Sequence, residues 1–491
     1  MLACGGSPAN PADPNPPGPP PGPTPEPPGP TPEPPGPDLC RSDRACPGDD
    51  LQAKLDSLPP GATLVLSAGY YRMQFLQPKA SQILQGEPGA ILSGARELTG
   101  WQREGAVWVV GNQIQGGTEG PGECLDDHPY CRYPEDLFVD DSIQTVVGSV
   151  AEVAPGRWFF DYDADRIYLG TDPSGRRVET SVTARGIGGT APGVQVRGLI
   201  IEKFASPGQG SAIHAGGDGW TVADNVIRWN HGTGLRGGKR GFFLRNHILA
   251  NGQMGIGGSV QDGLVVEDNE IAWNNTARYD DGWESGGTKF TSTDGLTVRN
   301  NWVHHNFGPG LWTDIDNVNV LIEGNTIEDN GAYGIQHEIS YAAVIRNNIV
   351  RRNGGSAGYG RCDGTSSCAG IAVHNSRDVE IVGNALTDNF NGIVLLEDDR
   401  GSGVLGPWQT RNVWVHDNVV SQSRSGSIAG GIRVRVNQNI VYTPAGGLRW
   451  TGNKYELEGS GRYFLWLGSE VTDSEWRDVG HDVDGQIERL P

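Results

Sequence analysis

The sequence predicts an all-β chain wound as a parallel solenoid, and three observations carry that reading. A short phrase recurs as VADNVIRWN, FLRNHILAN, VEDNEIAWN, VRNNWVHHN, IEGNTIEDN and IRNNIVRRN. Its anchor residues Asn225, Asn246, Asn269, Asn301, Asn325, Asn348, Asn384, Asn418 and Asn453 stand 21, 23, 32, 24, 23, 36, 34 and 35 residues apart. In the first seven units a second Asn follows five residues later, at 230, 251, 274, 306, 330, 353 and 389. A Gly-hydrophobic step comes next, as at Gly255-Ile256, Gly310-Leu311, Gly334-Ile335 and Gly370-Ile371. A unit of this length, made of short β-branched runs, is too short for a pair of helices and suits one coil of stacked strands. Asn tolerates the left-handed conformation a sharp turn needs, and its amide can stack from coil to coil. The Asn ladder is therefore read as structural, and the Leu-x-x-Leu-x-Leu frame of a leucine-rich repeat is missing.

On these residues the chain resembles the right-handed parallel β-helix superfamily, the scaffold of pectate lyases, polygalacturonases, alginate and chondroitin lyases and phage tailspikes. The resemblance covers about residues 50–460. It implies a right-handed β-helix with a groove able to hold a polysaccharide, and it is weak for activity.

The elements follow in order. MLACGG resembles the end of a bacterial lipoprotein signal, which makes residues 1–7 a signal remnant and Cys4 the lipidated residue. Residues 8–38 are a Pro-rich linker that extends rather than packs. Within 39–101, DDLQAKLDS gives a short helix with Leu51 and Leu55 on one face, capping the first coils. Residues 102–190 break the repeat; the alternation around Trp158, Phe160 and Tyr162 suggests antiparallel hairpins, a small β insertion near the N-terminus. The β-helix resumes over 191–459, with loops at 276–286, 355–370 and 397–411 that line one groove. The tail, 460–491, covers the last coil.

With 74 Gly in 491 residues, composition agrees with a turn-rich solenoid. No run of 18 apolar residues exists, so no spanning segment is expected and membrane contact is limited to the lipid on Cys4. The net charge of −21 argues against a nucleic-acid partner, and it opposes long-range attraction of strongly anionic polymers. Six cysteines fall into three local pairs, Cys40/Cys46, Cys124/Cys131 and Cys362/Cys368, the pattern of loop-stapling disulfides in an exported protein. The protein is expected to be a monomer.

Aligning the coils on the Gly-hydrophobic step assigns faces. If the residue after Gly points inward, the third and fifth residues point outward. Lys289, Trp312 and Gln336 then form one outward column, and Ser259, Thr291, Asp314, Glu338 and His374 the next. Asp314 and Glu338 become neighbouring carboxylates on a solvated face, flanked by His374 and diagonally by Lys289. Two carboxylates suit glycoside hydrolysis, one as acid and one as nucleophile or base, with a separation of roughly 5–5.5 Å for retention and roughly 6.5–9.5 Å for inversion. Trp312 is a sugar platform, Gln336, Trp283 and Glu284 are further substrate contacts, and Asp316 is a spare acid. An elimination would instead use Lys289 or His374 as base. No lyase motif is intact, so hydrolysis leads; the alternative is a non-catalytic glycan-binding or adhesin-like surface protein.

Weaker signals are set aside. Gly232-Thr-Gly-Leu-Arg-Gly237 matches a dinucleotide fingerprint without a βαβ unit around it. His304-His305 reads as a solvated turn and His337 as an inward, hydrogen-bonded core residue. No cofactor is required; Asp280 and Asp281, with Glu284, offer oxygen ligands for Ca²⁺.

Overall fold

The computed structural model describes residues 40–354, 362, 368–422, 426–436 and 439–490. Cys4, the Pro-rich stretch and most of the 355–370 loop lie outside them. The chain is a right-handed parallel β-helix: two long sheets of 13 strands and one of 12 run the length of the molecule, each strand pairing with its counterpart one coil away. The third sheet carries the face on which the candidate site residues lie. Its neighbouring strands include β1 (Ser211–Ala215), β2 (Thr233–Gly237), β3 (Met254–Ser259), β4 (Gly286–Thr291), β5 (Leu311–Asp314), β6 (Ile335–Glu338) and β7 (Ala369–His374).

Two Asn ladders make the corners. Each anchor Asn donates from Nδ2 to Oδ1 of the next, for example Asn301 to Asn325 at 3.0 Å and Asn325 to Asn348 at 2.9 Å. The next Oδ1 also accepts the backbone N–H of the preceding Asn, as Asn325 does from Asn301 at 2.9 Å. The second ladder, Asn230 to Asn389, repeats the scheme five residues on. Contrary to expectation, the ladder Asn residues are not themselves left-handed. The residue before each takes that conformation, including Trp229 (φ 57°), Trp273 (φ 60°) and Arg352 (φ 55°). Large residues adopt it at a cost, and the buried amide at the next position stabilises the bend by hydrogen-bonding around it.

Between the corners, inward residues stack as Leu235, Ile256, Leu311, Ile335 and Ile371, all nearly inaccessible. The ends are closed. Helix α1 (Leu51–Ser57) is capped by the Asp50 side chain and buries Leu51 and Leu55 on the first coils. At the far end the anchor ladder finishes on Asp482, which accepts Asn453 Nδ2 at 2.8 Å, while Trp476 of α2 (Asp473–Asp478) packs on Trp450, Phe464 and Trp466.

Between Ala95 and Ser181 the chain leaves the coil to build a four-stranded and a five-stranded sheet. Arg157–Asp161 pairs antiparallel with Arg166–Leu169, and Trp158, Phe160, Ile167 and Leu169 form a separate small core. The Cys124–Cys131 disulfide lies in this insertion; Cys40–Cys46 and Cys362–Cys368 are also formed. Such bonds persist in oxidising compartments. Among the described residues no helix is long and apolar enough to cross a membrane.

Candidate active site

The register of the candidate face is fixed by backbone pairing. Trp312 stands opposite Gln336, Thr313 opposite His337, and Asp314 opposite Glu338, which in turn stands opposite His374. One-residue alternation sends Leu311 and Thr313 into the coil and Trp312 and Asp314 out of it. His337 is accordingly a core residue: its Nδ1 faces the Thr313 hydroxyl at 2.8 Å and its Nε2 faces the Tyr341 carbonyl at 3.1 Å. A carbonyl only accepts, so Nε2 carries the proton and Nδ1 accepts from Thr313; burial holds the ring neutral, with its pKa down at about 4.

The outward column is not a solvated face. Asp314 and Glu338 are each 6% exposed and His374 is 8% exposed, because the flanking loops close over the strands. From the 276–286 loop, the Trp283 carbonyl accepts Lys289 Nζ at 3.1 Å. From the 397–411 loop, Arg400 Nη1 reaches Glu338 Oε1 at 2.5 Å and Asp398 Oδ2 meets His374 Nε2 at 3.0 Å.

The two carboxylates sit in opposite environments. Asp314 Oδ2 pairs with Lys289 Nζ at 3.0 Å, but its Oδ1 is buried without a partner. Burial raises its pKa, the Glu338 charge adds to the rise, and Lys289 only partly opposes it. Glu338 is buried as well, yet three groups serve its charged form: Gln336 Nε2 on Oε2 at 2.7 Å, and Arg400 and His374 on Oε1, each of these two adding a favourable positive charge. They outweigh burial and hold Glu338 at about 2. His374 presents Nδ1 to Glu338 at 3.2 Å and Nε2 to Asp398; burial opposes its charge, but both carboxylates raise its pKa. With each ring nitrogen facing a carboxylate, the surroundings favour the imidazolium, in which both nitrogens carry hydrogens.

Lys289 Nζ also lies 3.7 Å from the centre of the Trp312 ring, a cation–π contact. Trp312 Nε1 is buried without an acceptor. An orphan indole N–H and an orphan carboxyl oxygen thus lie two residues apart on one outward edge of β5. Buried polar groups are seldom left unpaired, and a hydroxylated ligand would satisfy both.

The structure brings together Asp314, Glu338, Lys289, His374, Trp312 and Gln336, with Trp283 at the rim. Asp316 is placed elsewhere. It follows the end of β5 in a left-handed turn and its Oδ1 accepts from Trp408 Nε1 and Val404 N, so it ties down the 397–411 loop instead of serving as a spare acid. Glu284 accepts from the Gln209 amide, and Asp280 Oδ1 accepts from Gly282 N within its own turn. Among the described residues no group of three or more His, Cys, Asp or Glu is placed to hold a metal. His304 is not a solvated turn either: it is 5% exposed, bonded to Glu270 and stacked on Trp302. Spacing marks the 397–411 loop as groove-lining but does not single out Arg400 and Asp398 as partners of the acid pair. Their signal was only charge within an enlarged gap. Tyr333, whose hydroxyl is pushed up to about 12 by burial and by the Glu338 charge, precedes the Gly334 step and had no distinguishing pattern.

Residues 211–367 match the family model described as "Right handed beta helix region". No curated protein matches the chain by sequence. Among solved structures, one titled "The complex structure of XylC with xylose" superposes with a TM-score of 0.68 at 15% identity, over 89% of this chain and 82% of that one. The A-module of Azotobacter vinelandii mannuronan C-5 epimerase AlgE6 gives 0.47 at 15% identity, over 90% and 94%. A structure titled "Glycoside hydrolase" gives 0.37 at 10% identity, over 87% of each chain. The first of these, at 15% identity, is a likeness of fold.

Proposed function

We propose that the chain is an exported carbohydrate-active enzyme that hydrolyses a polysaccharide laid along the outer face of its third sheet. The observation that carries this reading is the pair Asp314 and Glu338, on adjacent coils, with protonation states driven apart by their surroundings. Paired titratable groups of that kind mark an acid and its charged partner. Asp314, whose hold on its proton burial strengthens, gives that proton to the glycosidic oxygen as the bond to the anomeric carbon breaks. Glu338, kept ionised, either forms the new bond to that carbon or takes a proton from the water that does. The unpartnered Asp314 Oδ1 is the oxygen available to carry the proton. Trp312 offers a ring face and an N–H to the sugar, and Gln336, Arg400 and His374 hold Glu338 in place.

Elimination fits less well. Both nitrogens of His374 are committed to carboxylates, leaving no lone pair for a base. Lys289 is engaged at once by Asp314, the Trp283 carbonyl and the Trp312 ring, which suits a positioning cation. The three disulfides support an oxidising, exported location. The test is a panel of polysaccharides assayed both for new reducing ends and for the absorbance of unsaturated uronates. Reducing ends without that absorbance support hydrolysis; the absorbance would replace hydrolysis with elimination.

A further inference from the structure

The column that holds Lys289, Trp312 and Gln336 continues toward the N-terminus. Lys289 of β4 stands opposite Gly257 of β3, Gly257 opposite Arg236 of β2, and Arg236 opposite His214 of β1. His214 in turn stands opposite Gly188, beside which lie the Arg185 side chain and the ring of Phe75. At Gly257 the end of the Met254 side chain fills the floor, so no basic group stands on that coil. Three basic side chains therefore gather on the face that leads out of the acid pair, beginning two coils from Lys289, or roughly 10 Å at the usual strand spacing.

The two arginines among them stand apart from the many surface cations that are paired. The chain has 59 acidic residues against 38 Lys and Arg, so partners are plentiful. Elsewhere cross-coil pairs use them: Arg228 with Glu202, Arg245 with Asp224, Arg299 with Glu267, Arg346 with Glu323 and Arg351 with Glu328. Arg185 and Arg236 make no ion pair or hydrogen bond among the described residues, and Arg185 Nε and Arg236 Nη1 are buried without a partner. The carboxylate that acts on Arg236 is Glu284, whose oxygen is taken by Gln209. Burial first, and then the two neighbouring guanidiniums, push the His214 pKa down. Holding like charges together with buried N–H groups unserved costs stability, and a fold with no use for them would have paired or removed them.

We propose that Arg185, His214 and Arg236 form an anion subsite of the groove, which takes a carboxylate or sulfate of an acidic polysaccharide two to four coils from the Lys289–Asp314 pair. This deepens the reading above and rests on it for the placement of the chain. It also reverses the expectation drawn from net charge. The −21 total acts over long range and is screened within about 8–10 Å at ordinary salt, whereas unpaired guanidiniums at contact distance decide which groups are accepted. Arg supplies a planar fork that matches either a carboxylate or a sulfate, and Phe75, 38% exposed, offers an apolar ring to the sugar beside it.

The test compares the full chain with the double variant Arg185→Gln/Arg236→Gln, each also carrying Glu338→Gln so that binding is read without turnover. Binding is measured by calorimetry on four probes: oligogalacturonate, dextran sulfate, xylo-oligosaccharides and dextran. The expected result is affinity for at least one acidic probe that falls about tenfold or more in the double variant and with added salt, while binding of the neutral probes does not change. The arm that responds tells carboxylate from sulfate. The thermal midpoint of the double variant should stay level or rise, since an unpaired like-charge cluster has been removed. Equal binding of the acidic probes by both proteins would overturn the proposal. So would a chain that binds neither acidic probe while cleaving a neutral polymer, which would leave the hydrolase reading standing. Arg-dependent binding of an acidic probe that the Glu338-bearing parent fails to cleave would support the subsite and count against hydrolysis alone.

Discussion

Removing one amide from the middle of a ladder, Asn325→Ala, measures what holds the coils together. Asn325 is 1% exposed and its side chain makes four hydrogen bonds. Oδ1 accepts the Asn301 backbone N–H at 2.9 Å and Asn301 Nδ2 at 3.0 Å; Nδ2 donates to the Val298 carbonyl at 3.0 Å and to Asn348 Oδ1 at 2.9 Å. The substitution affects these groups unequally. Asn301 Nδ2 keeps the Val266 and Arg299 carbonyls, and Asn348 Oδ1 keeps the Asn325 backbone N–H. The Asn301 N–H loses its acceptor and the Val298 carbonyl loses a donor. Each stranded buried group costs about 1–3 kcal/mol, so the two together predict a destabilisation of about 2–6 kcal/mol. Guanidinium titrations followed by far-ultraviolet circular dichroism supply the value, provided the slopes of parent and variant agree. The neighbouring Thr326→Ala, on the partly exposed strand, should cost under about 1 kcal/mol and serves as control. A loss below about 1 kcal/mol for Asn325→Ala, matching the control, would refute the ladder as the source of coil-to-coil stability.

Three further outcomes follow from the same structure. Thiol titration of the denatured, unreduced domain comprising residues 40–491 should find none of its six cysteines reactive; six reactive thiols would remove both the pairing and the oxidising compartment. His231 is fully buried between Asp136 and the Cys131 carbonyl, with the Tyr279 hydroxyl nearby; burial opposes its charge, but Asp136 and the carbonyl raise its pKa above the ordinary 6.5. A raised folded-state pKa gives stability that is complete below about pH 6.5 and lost as pH climbs through the folded value, so thermal midpoints should fall on that climb in the parent and not in His231→Gln. For catalysis, Arg400→Gln removes a cation that lowers the Glu338 pKa and should move the acid limb of the rate–pH profile upward, whereas Lys289→Met removes one that lowers Asp314 and should move the alkaline limb upward. Profiles that do not move would dissociate these residues from the reacting pair.

The fold was legible because every coil repeats the same solution to the same problem. Asn225 through Asn453 mark one corner, and the Gly step marks the entry to the third sheet, so the alternation of Leu311, Trp312, Thr313 and Asp314 could be assigned a face from spacing alone. The juxtaposition of Asp314, Glu338 and His374 followed from that register. What spacing does not carry is the path of loops between coils. Arg400 and Asp398 reach the acid pair across a turn held by Asp316 and Trp408, a contact between residues 92 positions apart. The same loops bury a column that alternation alone describes as open to solvent. Charge totals are silent on the groove for a related reason: a sum over 491 residues says nothing of Arg185 and Arg236, far apart in sequence and placed on one face by the winding of the coil.

The central claim, that Asp314 and Glu338 are the reacting pair, is tested most directly by the isosteric variants Asp314→Asn and Glu338→Gln on a polysaccharide the parent cleaves. Each should lose at least about a hundredfold in rate, the scale of a single acid or base, with circular dichroism and thermal midpoint close to the parent. Parental rates in both variants would contradict the account; if no polysaccharide in the panel is cleaved by the parent but glycans are bound, the groove is a binding surface.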